Sequence, residues 1–324
     1  MPPPDDRKTL QIQMFTFKNG RGLGQMLFEL ASLYGISKQI ERVPVITRYA
    51  GIWDTVSNSV SQYFPVFGAF FEQVDLDPSF LFSVNLNIRY CCKFENPKNL
   101  ESLIQQHVLI NGVYFQSFKY FEDYKSEIRV ALTPPPESAI RAELLIPEDF
   151  RKDLMICVHT KQLVFRDSGL SSPSDPVFTR AATDFLVNKY KSEERRVTVT
   201  VLGNDVIWAQ NLFHDKIGKS NYFSTFNGTD SIFSKDSPDY TVLLTLGLHP
   251  IDDLALSRSF CDVFLLTSPT SSFGWWMAYL GKDTAEVFYR DPKEAPDVMF
   301  SEMRQTDYYP SSWNKLRSSR IGIQ

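Results

Sequence analysis

The sequence has no long hydrophobic run, and cysteine and histidine are both scarce. Of its 324 residues, 4 are Cys and 4 are His. The longest apolar run, residues 63–71, contains Pro65 and Gly68 and is far shorter than the ~20 residues that a helix needs to span a bilayer. Residues 1–6 also lack the basic and apolar segments of a signal peptide. We therefore expect neither a membrane anchor nor a signal peptide in the chain as written.

The scarcity of cysteine and histidine limits the kinds of site that the chain can build. Cys91 and Cys92 are adjacent, whereas Cys157 and Cys261 lie in apolar segments. Four cysteines in a chain of this length do not predict a disulfide framework, and we expect Cys157 and Cys261 to be buried thiols. The sequence contains neither a CxxC nor an HExxH motif, and its histidines are scattered. This pattern argues against a structural metal site.

Basic charge is not in excess either. The formal net charge of -4 argues against a nucleic-acid-binding protein that neutralises phosphates. The hydrophobic fraction of 43% and the charged fraction of 22% are typical of a soluble globular protein with an ordinary core. At ~150 residues per domain, the length predicts two domains.

Strand and helix patterns alternate along both halves of the chain. Residues 11–17 alternate polar and apolar, as a strand does, and the glycine-rich residues 18–24 lead into a helical pattern from Gln25. A second strand at residues 45–47 completes a βαβ unit. The second half begins with the continuous apolar strand 154–159, which is typical of a parallel sheet covered on both faces. These patterns predict an α/β fold with doubly wound sheets.

A domain boundary is expected near the middle of the chain. The proline-rich residues 133–137 give the best linker signal, and a short helical pattern follows them. We place the boundary at residue 150, which gives domains 1–150 and 151–324.

Ligands of an open parallel sheet bind at the carboxyl ends of its strands. The sequence places four loops there, at residues 20–25, 160–168, 203–205 and 267–272. The first loop carries Arg21 just before a helix, which favours anion binding, although a simple tight turn explains its glycines equally well. The last carries five hydroxyl groups before a helix and would suit a pyrophosphate. The alternative is that Ser271 or Ser272 caps the helix.

Several of these segments together resemble the α-1,2-fucosyltransferase family. Residues 22–31, GLGQMLFELA, resemble the family's opening motif GxGNQxFxYA, and residues 268–280, SPTSSFGWWMAYL, resemble its closing motif SxSTFSWWAAYL. Residues 252–257 and 203–208 also fit, in the family's order. The amino-acid sequences of these segments are most similar to those of the nematode branch of the family.

The resemblance implies a GT-B-like fold of two Rossmann-type domains. The first domain would lie on the acceptor side, and the second would bind GDP-fucose. The implied reaction is an inverting transfer of L-fucose to a sugar hydroxyl, namely the 2-hydroxyl of galactose in a galactose-terminated glycan acceptor. The family uses no metal ion or other cofactor, and its members are usually Golgi membrane proteins.

The family's HxRRGDY/F motif is degenerate in this chain. The arginines of that motif stabilise the departing diphosphate. Residues 159–165 are HTKQLVF, so that Lys161 and Gln162 stand where the family has arginine. Lysine keeps the charge but not the bidentate fork, and glutamine carries no charge. Arg166 follows shortly after and could restore the lost charge only if the loop shifts.

The predicted nucleotide-binding residues come from all four loops: His159, Lys161, Arg166, Asn204, Asp205, Ser271, Ser272 and Arg21. Asp167 and Asp175 are candidates for the general base by position only, because a base must reach the acceptor hydroxyl.

Three functions remain open at this point: an active fucosyltransferase, a catalytically inactive relative that binds nucleotide or glycan, and a transferase with a different sugar nucleotide or acceptor. We expect the first of these. The degenerate motif supports the second as an alternative, since loss of one stabilising donor typically costs ~10²–10³ in rate.

Overall fold

The computed structural model separates the chain into two compact units. It describes residues 6–18, 22–48, 51–86, 91–162, 171–192, 195–217, 221–224, 230–233, 240–245, 248–319 and 322–324. The first unit consists of Met1–Thr133 and Glu302–Pro310, and the second of Pro134–Ser301 and Ser311–Gln324. The division falls within the proline-rich segment, earlier than the expected residue 150, because the helix after that segment packs with the second unit.

The first unit is built on a five-stranded parallel sheet. Its strands are β1 (Thr9–Ile12), β2 (Val43–Thr47), β3 (Glu72–Val74), β4 (Phe82–Asn85) and β5 (His107–Asn111). They lie in the order β3-β2-β1-β5-β4. From β1 the chain fills one side of the sheet with β2 and β3, and then the other side with β4 and β5. The strand order therefore reverses between β1 and β5.

Short helices surround this sheet. The α-helices are Phe15–Lys18, Leu23–Gln39, Ile52–Val56, Pro65–Gly68, Lys125–Ala131 and Gln305–Tyr308, with a π-helical turn at Ser57–Ser61. The 3₁₀ helices are Pro78–Phe80, Pro97–Leu100, Phe118–Tyr120 and Glu122–Tyr124.

The predicted strand over residues 11–17 is wrong at its end. The strand β1 stops at Ile12, and Phe15–Lys18 is helical. The backbone N–H of Thr16 donates to Glu29 Oε1 over 2.9 Å, and Glu29 lies on the long helix Leu23–Gln39. This tertiary hydrogen bond favours the helical turn over the strand that local alternation predicts. Burial raises the pKa of Glu29 to about 8, although the hydrogen bonds from residues 15–17 oppose the change.

The returning segment Glu302–Pro310 belongs to the core of the first unit. Asp307 Oδ2 accepts from the N–H of Phe94 at 3.0 Å, and Asp307 Oδ1 lies 2.7 Å from Lys119 Nζ. Its neighbour Tyr308 is fully buried and stacks on Phe28, with 5.9 Å between ring centroids. The segment therefore supplies packing that the rest of the unit lacks.

The second unit is built on an eight-stranded sheet. Its strands are β6 (Leu154–Thr160), β7 (Val197–Gly203), β8 (Asn221–Ser224), β9 (Asp230–Phe233), β10 (Thr241–Thr245), β11 (Val263–Leu266), β12 (Glu286–Arg290) and β13 (Asn314–Leu316). They lie in the order β13-β12-β11-β6-β7-β10-β9-β8. Only the pairings that involve β8 and β9 are antiparallel among the described strands of this sheet. The strands β14 (Ser318–Ser319) and β15 (Gly322–Ile323) form a separate antiparallel pair.

Helices connect these strands, and the predicted α/β fold with two parallel sheets is confirmed. The α-helices are Pro136–Leu145, Pro176–Tyr190, Val206–Leu212, His214–Ile217, Pro250–Phe260, Ser272–Leu280 and Val298–Glu302. The 3₁₀ helices are Glu148–Phe150 and Pro292–Glu294. Of all the helices in the described part of the chain, none combines the length and the apolar character that crossing a membrane requires.

The cysteines are disulfide-bonded, so the prediction of buried thiols is wrong. Cys157 in β6 is bonded to Cys261, with their Cα atoms 5.6 Å apart, and Cys91 is bonded to Cys92. The residues Cys157 and Cys261 are 104 positions apart in the chain. They meet because β11, which begins just after Cys261, pairs with β6. The strand order, which the local pattern does not reveal, brings the two sulfur atoms together.

Candidate functional site

The predicted site residues lie where the order of the second sheet reverses. From β6 the chain continues to β7 and β10 on one side, and it later returns to fill the other side with β11, β12 and β13. The strands β6 and β11 are therefore neighbours at a switch point, and His159 near the end of β6 pairs in register with Leu266. In open α/β sheets, ligands bind at such a point, outside the carboxyl ends of the strands.

His159 connects the end of β6 to the helix that follows β11. Its Nε2 lies 2.9 Å from Ser271 Oγ, and its side chain is buried. The ring packs so closely against this helix that a Cβ added at Gly274 would lie 2.7 Å from His159 Nε2. Burial, together with the charge of Lys161, lowers the pKa of His159 to about 3. His159 is therefore neutral at physiological pH and can contribute hydrogen bonds rather than positive charge.

Gln162 has a structural role in the loop that follows β6. The side chain is buried, and its Nε2 donates to the carbonyl oxygen of Ser174 over 2.7 Å. The backbone N–H of Gln162 donates to Asn204 Oδ1 over 2.9 Å. Ser174 Oγ in turn accepts from the N–H of Lys161 at 3.0 Å and lies 2.7 Å from Thr267 Oγ1. These hydrogen bonds connect the end of β6 to the loops that contain Ser174 and Asn204, and none of them involves a charged group.

Several predicted site residues, one candidate base and two candidate ligands, serve as helix caps. Asp175 Oδ1 accepts from the N–H of Phe178 at 2.7 Å, and Asp205 Oδ1 accepts from the N–H of Trp208 at 2.9 Å. Ser271 is the residue before the helix Ser272–Leu280, and its Oγ accepts from Gly274 at 3.4 Å. The capping alternative for Ser271 is thus confirmed. Three helices begin at this edge of the sheet, each with its positively polarised N-terminus there.

Of the remaining predicted residues, some lie within the described part of the chain and some do not. Ser272 is the first residue of the helix after Ser271 and is partly exposed. Arg21, Arg166 and Asp167 lie outside the described residues.

Lys161 and Asp253 influence each other's titration, an interaction that the sequence pattern does not reveal. Burial lowers the pKa of Lys161, and the charge of Asp253 opposes this change. Burial and the nearby Asp252 raise the pKa of Asp253 to about 8, while Lys161 acts in the opposite direction. Asp252 is itself held by Arg141, whose Nη2 and Nε lie 2.7 and 3.0 Å from its two carboxylate oxygens.

The signal for this pair was present in the sequence as two consecutive acidic residues at the start of a predicted helix. Acidic residues in the first turn already stabilise a helix through its dipole. The pattern therefore did not distinguish a functional site from ordinary stabilisation of the helix N-terminus. The cluster offers an anion one lysine ammonium group and a carboxyl group able to exchange a proton near neutral pH. Within the described residues, no group of three or more His, Cys, Asp or Glu side chains is arranged to hold a metal ion.

Comparison with known proteins gives matches along almost the whole chain. No protein-family model matches it. A galactoside 2-α-L-fucosyltransferase of Caenorhabditis elegans is 40% identical over 322 residues, which cover 98% of this chain and 80% of that protein. A second protein of the same name and organism is 26% identical over 323 residues, covering 98% of this chain and 83% of its own length.

A solved structure supports the fold. NodZ α-1,6-fucosyltransferase soaked with GDP-fucose superimposes with a TM-score of 0.50 at 14% identity, over 90% of this chain and 97% of that chain. The two parallel-sheet units agree with its GT-B-like architecture. Because the 40% identity extends over 98% of the chain, this protein belongs to the galactoside 2-α-L-fucosyltransferase family.

Proposed function

We propose that this chain is an inverting fucosyltransferase. It transfers L-fucose from GDP-fucose to a sugar hydroxyl, the 2-hydroxyl of a terminal galactose. The observation that carries this proposal is the contact between His159 and Ser271 at the switch point of the second sheet, beside Lys161. Membership of the family supports the reaction, and this contact supports a donor site at the switch point.

The donor diphosphate is proposed to bind between Lys161 and the N-terminus of the helix Ser272–Leu280. The first N–H groups of a helix and its dipole favour an anion, and the lysine adds a full charge. Burial lowers the pKa of Lys161, so a bound diphosphate would also stabilise its protonated form. Ser272 can add a hydroxyl group to the same anion.

In the proposed reaction the acceptor hydroxyl oxygen attacks C1 of fucose. The bond from C1 to the phosphate oxygen breaks, GDP leaves with the electron pair, and the hydroxyl proton passes to a base. Lys161 stabilises the charge that develops on the leaving phosphate. Of the two candidate bases, Asp175 already accepts a backbone hydrogen bond as a helix cap, and this favours Asp167.

The proposal is tested by calorimetric titration with GDP and GDP-fucose, followed by a transfer assay on a galactoside. The variant Lys161→Met removes the charge and keeps most of the side-chain length, and Lys152→Met at an exposed turn is the matched control. Loss of a charge-assisted hydrogen bond should weaken GDP binding about 10- to 100-fold in the first variant. The control should bind as the unmodified chain does. Failure of a folded chain to bind nucleotide at about millimolar concentration would reject the proposal.

One observation favours a second function, that of a catalytically inactive relative which retains the nucleotide. Gln162 is buried and committed to backbone hydrogen bonds, so it cannot replace the charge of an arginine. Nucleotide binding without fucosyl transfer, in an acceptor screen that includes several galactosides, would select this second function.

We also propose that the protein works in the lumen of the secretory pathway, in the Golgi. All four cysteines are in disulfides, and disulfides form and persist in oxidising compartments. The sequon at Asn227 provides a test, because a lumenal protein can be glycosylated there. A mobility shift after treatment with a glycosidase, absent in Asn227→Gln, is expected together with colocalisation with a Golgi marker. A chain without the shift and spread through the cytosol would contradict this location.

A further inference from the structure

The first unit contains a cavity of about 240 Å³ at the carboxyl ends of its central strands. Residues at the ends of β1, β2 and β5 line it on the sheet side, and Ile52, Leu76 and Leu81 also line it. The strand order of this sheet reverses between β1 and β5. The cavity therefore occupies the place where open α/β sheets bind ligands, and Arg21 is the one predicted donor residue that belongs to the same unit.

Gln11 is a buried polar side chain that faces this cavity without a partner. It lies in the central strand β1 and is 4% exposed. Its Nε2 has no hydrogen-bond partner among the residues that the structure describes, and the residue lines the cavity. An unpaired buried amide costs free energy, and a ligand that accepts its hydrogen bond would remove this cost.

The rest of the lining indicates the chemistry of the ligand. None of the described lining residues is charged. Besides Gln11, the polar residues are Gln13, Thr47 and Asn111, and the others are aliphatic side chains, a methionine and a proline. Such a lining fits a neutral molecule that has an apolar face and several hydroxyl groups. The cavity volume of about 240 Å³ is many times the ~10–15 Å³ that one water molecule needs by the same measure, so the cavity has room for a sugar ring with its hydroxyls.

We propose that this cavity binds one neutral glycosyl residue of the acceptor, with Gln11 as the donor of a hydrogen bond to a sugar oxygen. The proposal rests on the fucosyltransferase function proposed above, because that function requires a neutral sugar as the second substrate. The site is distinct from the charged donor site of the second unit in both residues and chemistry.

The test measures the binding of methyl β-galactopyranoside by saturation-transfer NMR and calorimetry, with and without saturating GDP, on the full chain. The variant Gln11→Leu removes the amide and keeps the approximate volume. Gln105→Leu is the matched control, because Gln105 also has a buried side-chain oxygen without a partner in the described structure and does not line the cavity. Leu81→Phe, which reduces the volume from a half-buried wall position, is a second and independent variant.

Galactoside affinity should fall about tenfold or more in Gln11→Leu and Leu81→Phe, while GDP affinity stays unchanged and Gln105→Leu binds both ligands normally. The melting temperature of Gln11→Leu should stay the same or rise, since an unpaired amide is removed, whereas a structural role for Gln11 predicts a fall. Unchanged galactoside affinity in both cavity variants would overturn the proposal. So would a chain that binds GDP but no galactoside, and that result would leave the donor site intact. Galactoside binding that depends on Gln11 in a chain unable to bind GDP would support the cavity and reject the transferase function.

Discussion

Replacing Glu29 by glutamine should change how the stability of the protein depends on pH. Glu29 is fully buried, its Oε2 has no partner within the described structure, and burial raises its pKa from 4.5 to about 8. Between these two values the folded chain holds a proton that the unfolded chain has released. The contribution of Glu29 to the free energy of unfolding is therefore highest below about pH 4.5, falls as the pH rises, and levels off above about pH 8. At ~1.36 kcal/mol per pKa unit, the difference between the two pKa values corresponds to a loss of about 5 kcal/mol of unfolding free energy across this pH range.

The variant Glu29→Gln keeps an acceptor for the N–H of Thr16 and cannot ionise. Its advantage over the unmodified chain should be small near pH 5 and grow to several kcal/mol near pH 8, as measured by denaturant unfolding at a series of pH values. All other titrating groups are common to both proteins and cancel in the difference. Glu143→Gln makes the same change at an exposed helix position and should show no such trend. If the stability curves of Glu29→Gln and the unmodified chain run parallel between pH 5 and 8, the explanation from burial is refuted.

Two further outcomes follow from the second unit. Gly274→Ala should destabilise the protein by about 1–3 kcal/mol and weaken GDP binding, because the added Cβ displaces His159. Denaturant unfolding measures the first effect and calorimetry the second. An unaltered GDP affinity would count against a donor site beside His159. Titration of the native chain should detect no free thiol. The double variant Cys157→Ala, Cys261→Ala should lose about 4–5 kcal/mol of unfolding free energy, because the disulfide closes a loop between residues 104 positions apart. Equal stability of the oxidised chain and the variant would contradict that expectation.

Local patterns predicted those features that depend on neighbouring residues in the chain. The apolar strand at residues 154–159 and the helix that begins after Ser271 both occur as expected, because side-chain periodicity and capping are local effects. The role of Gln162 could not be predicted in this way. Its partners are Ser174 and Asn204, and only the folded sheet brings their loops together. For the same reason the interaction of Lys161 with Asp253 was not foreseen.

Residues 11–17 show the opposite case, in which a tertiary hydrogen bond overrides a local pattern. Their alternation favours a strand, yet the carboxyl oxygen of Glu29 accepts a hydrogen bond from the N–H of Thr16, and this bond stabilises the helical turn. A single sequence does not reveal that the carboxyl group of Glu29 lies within reach of Thr16.

The passage of Glu302–Pro310 through the first unit has a consequence for biosynthesis. A ribosome produces a chain from its N-terminus, and N-terminal domains generally fold first as units. Here the partner of Lys119 and the ring that stacks on Phe28 are encoded after nearly all of the second unit. The N-terminal half therefore remains incompletely packed until synthesis is almost finished. A nonsense mutation just before codon 302 would consequently damage the half of the protein that had been translated first.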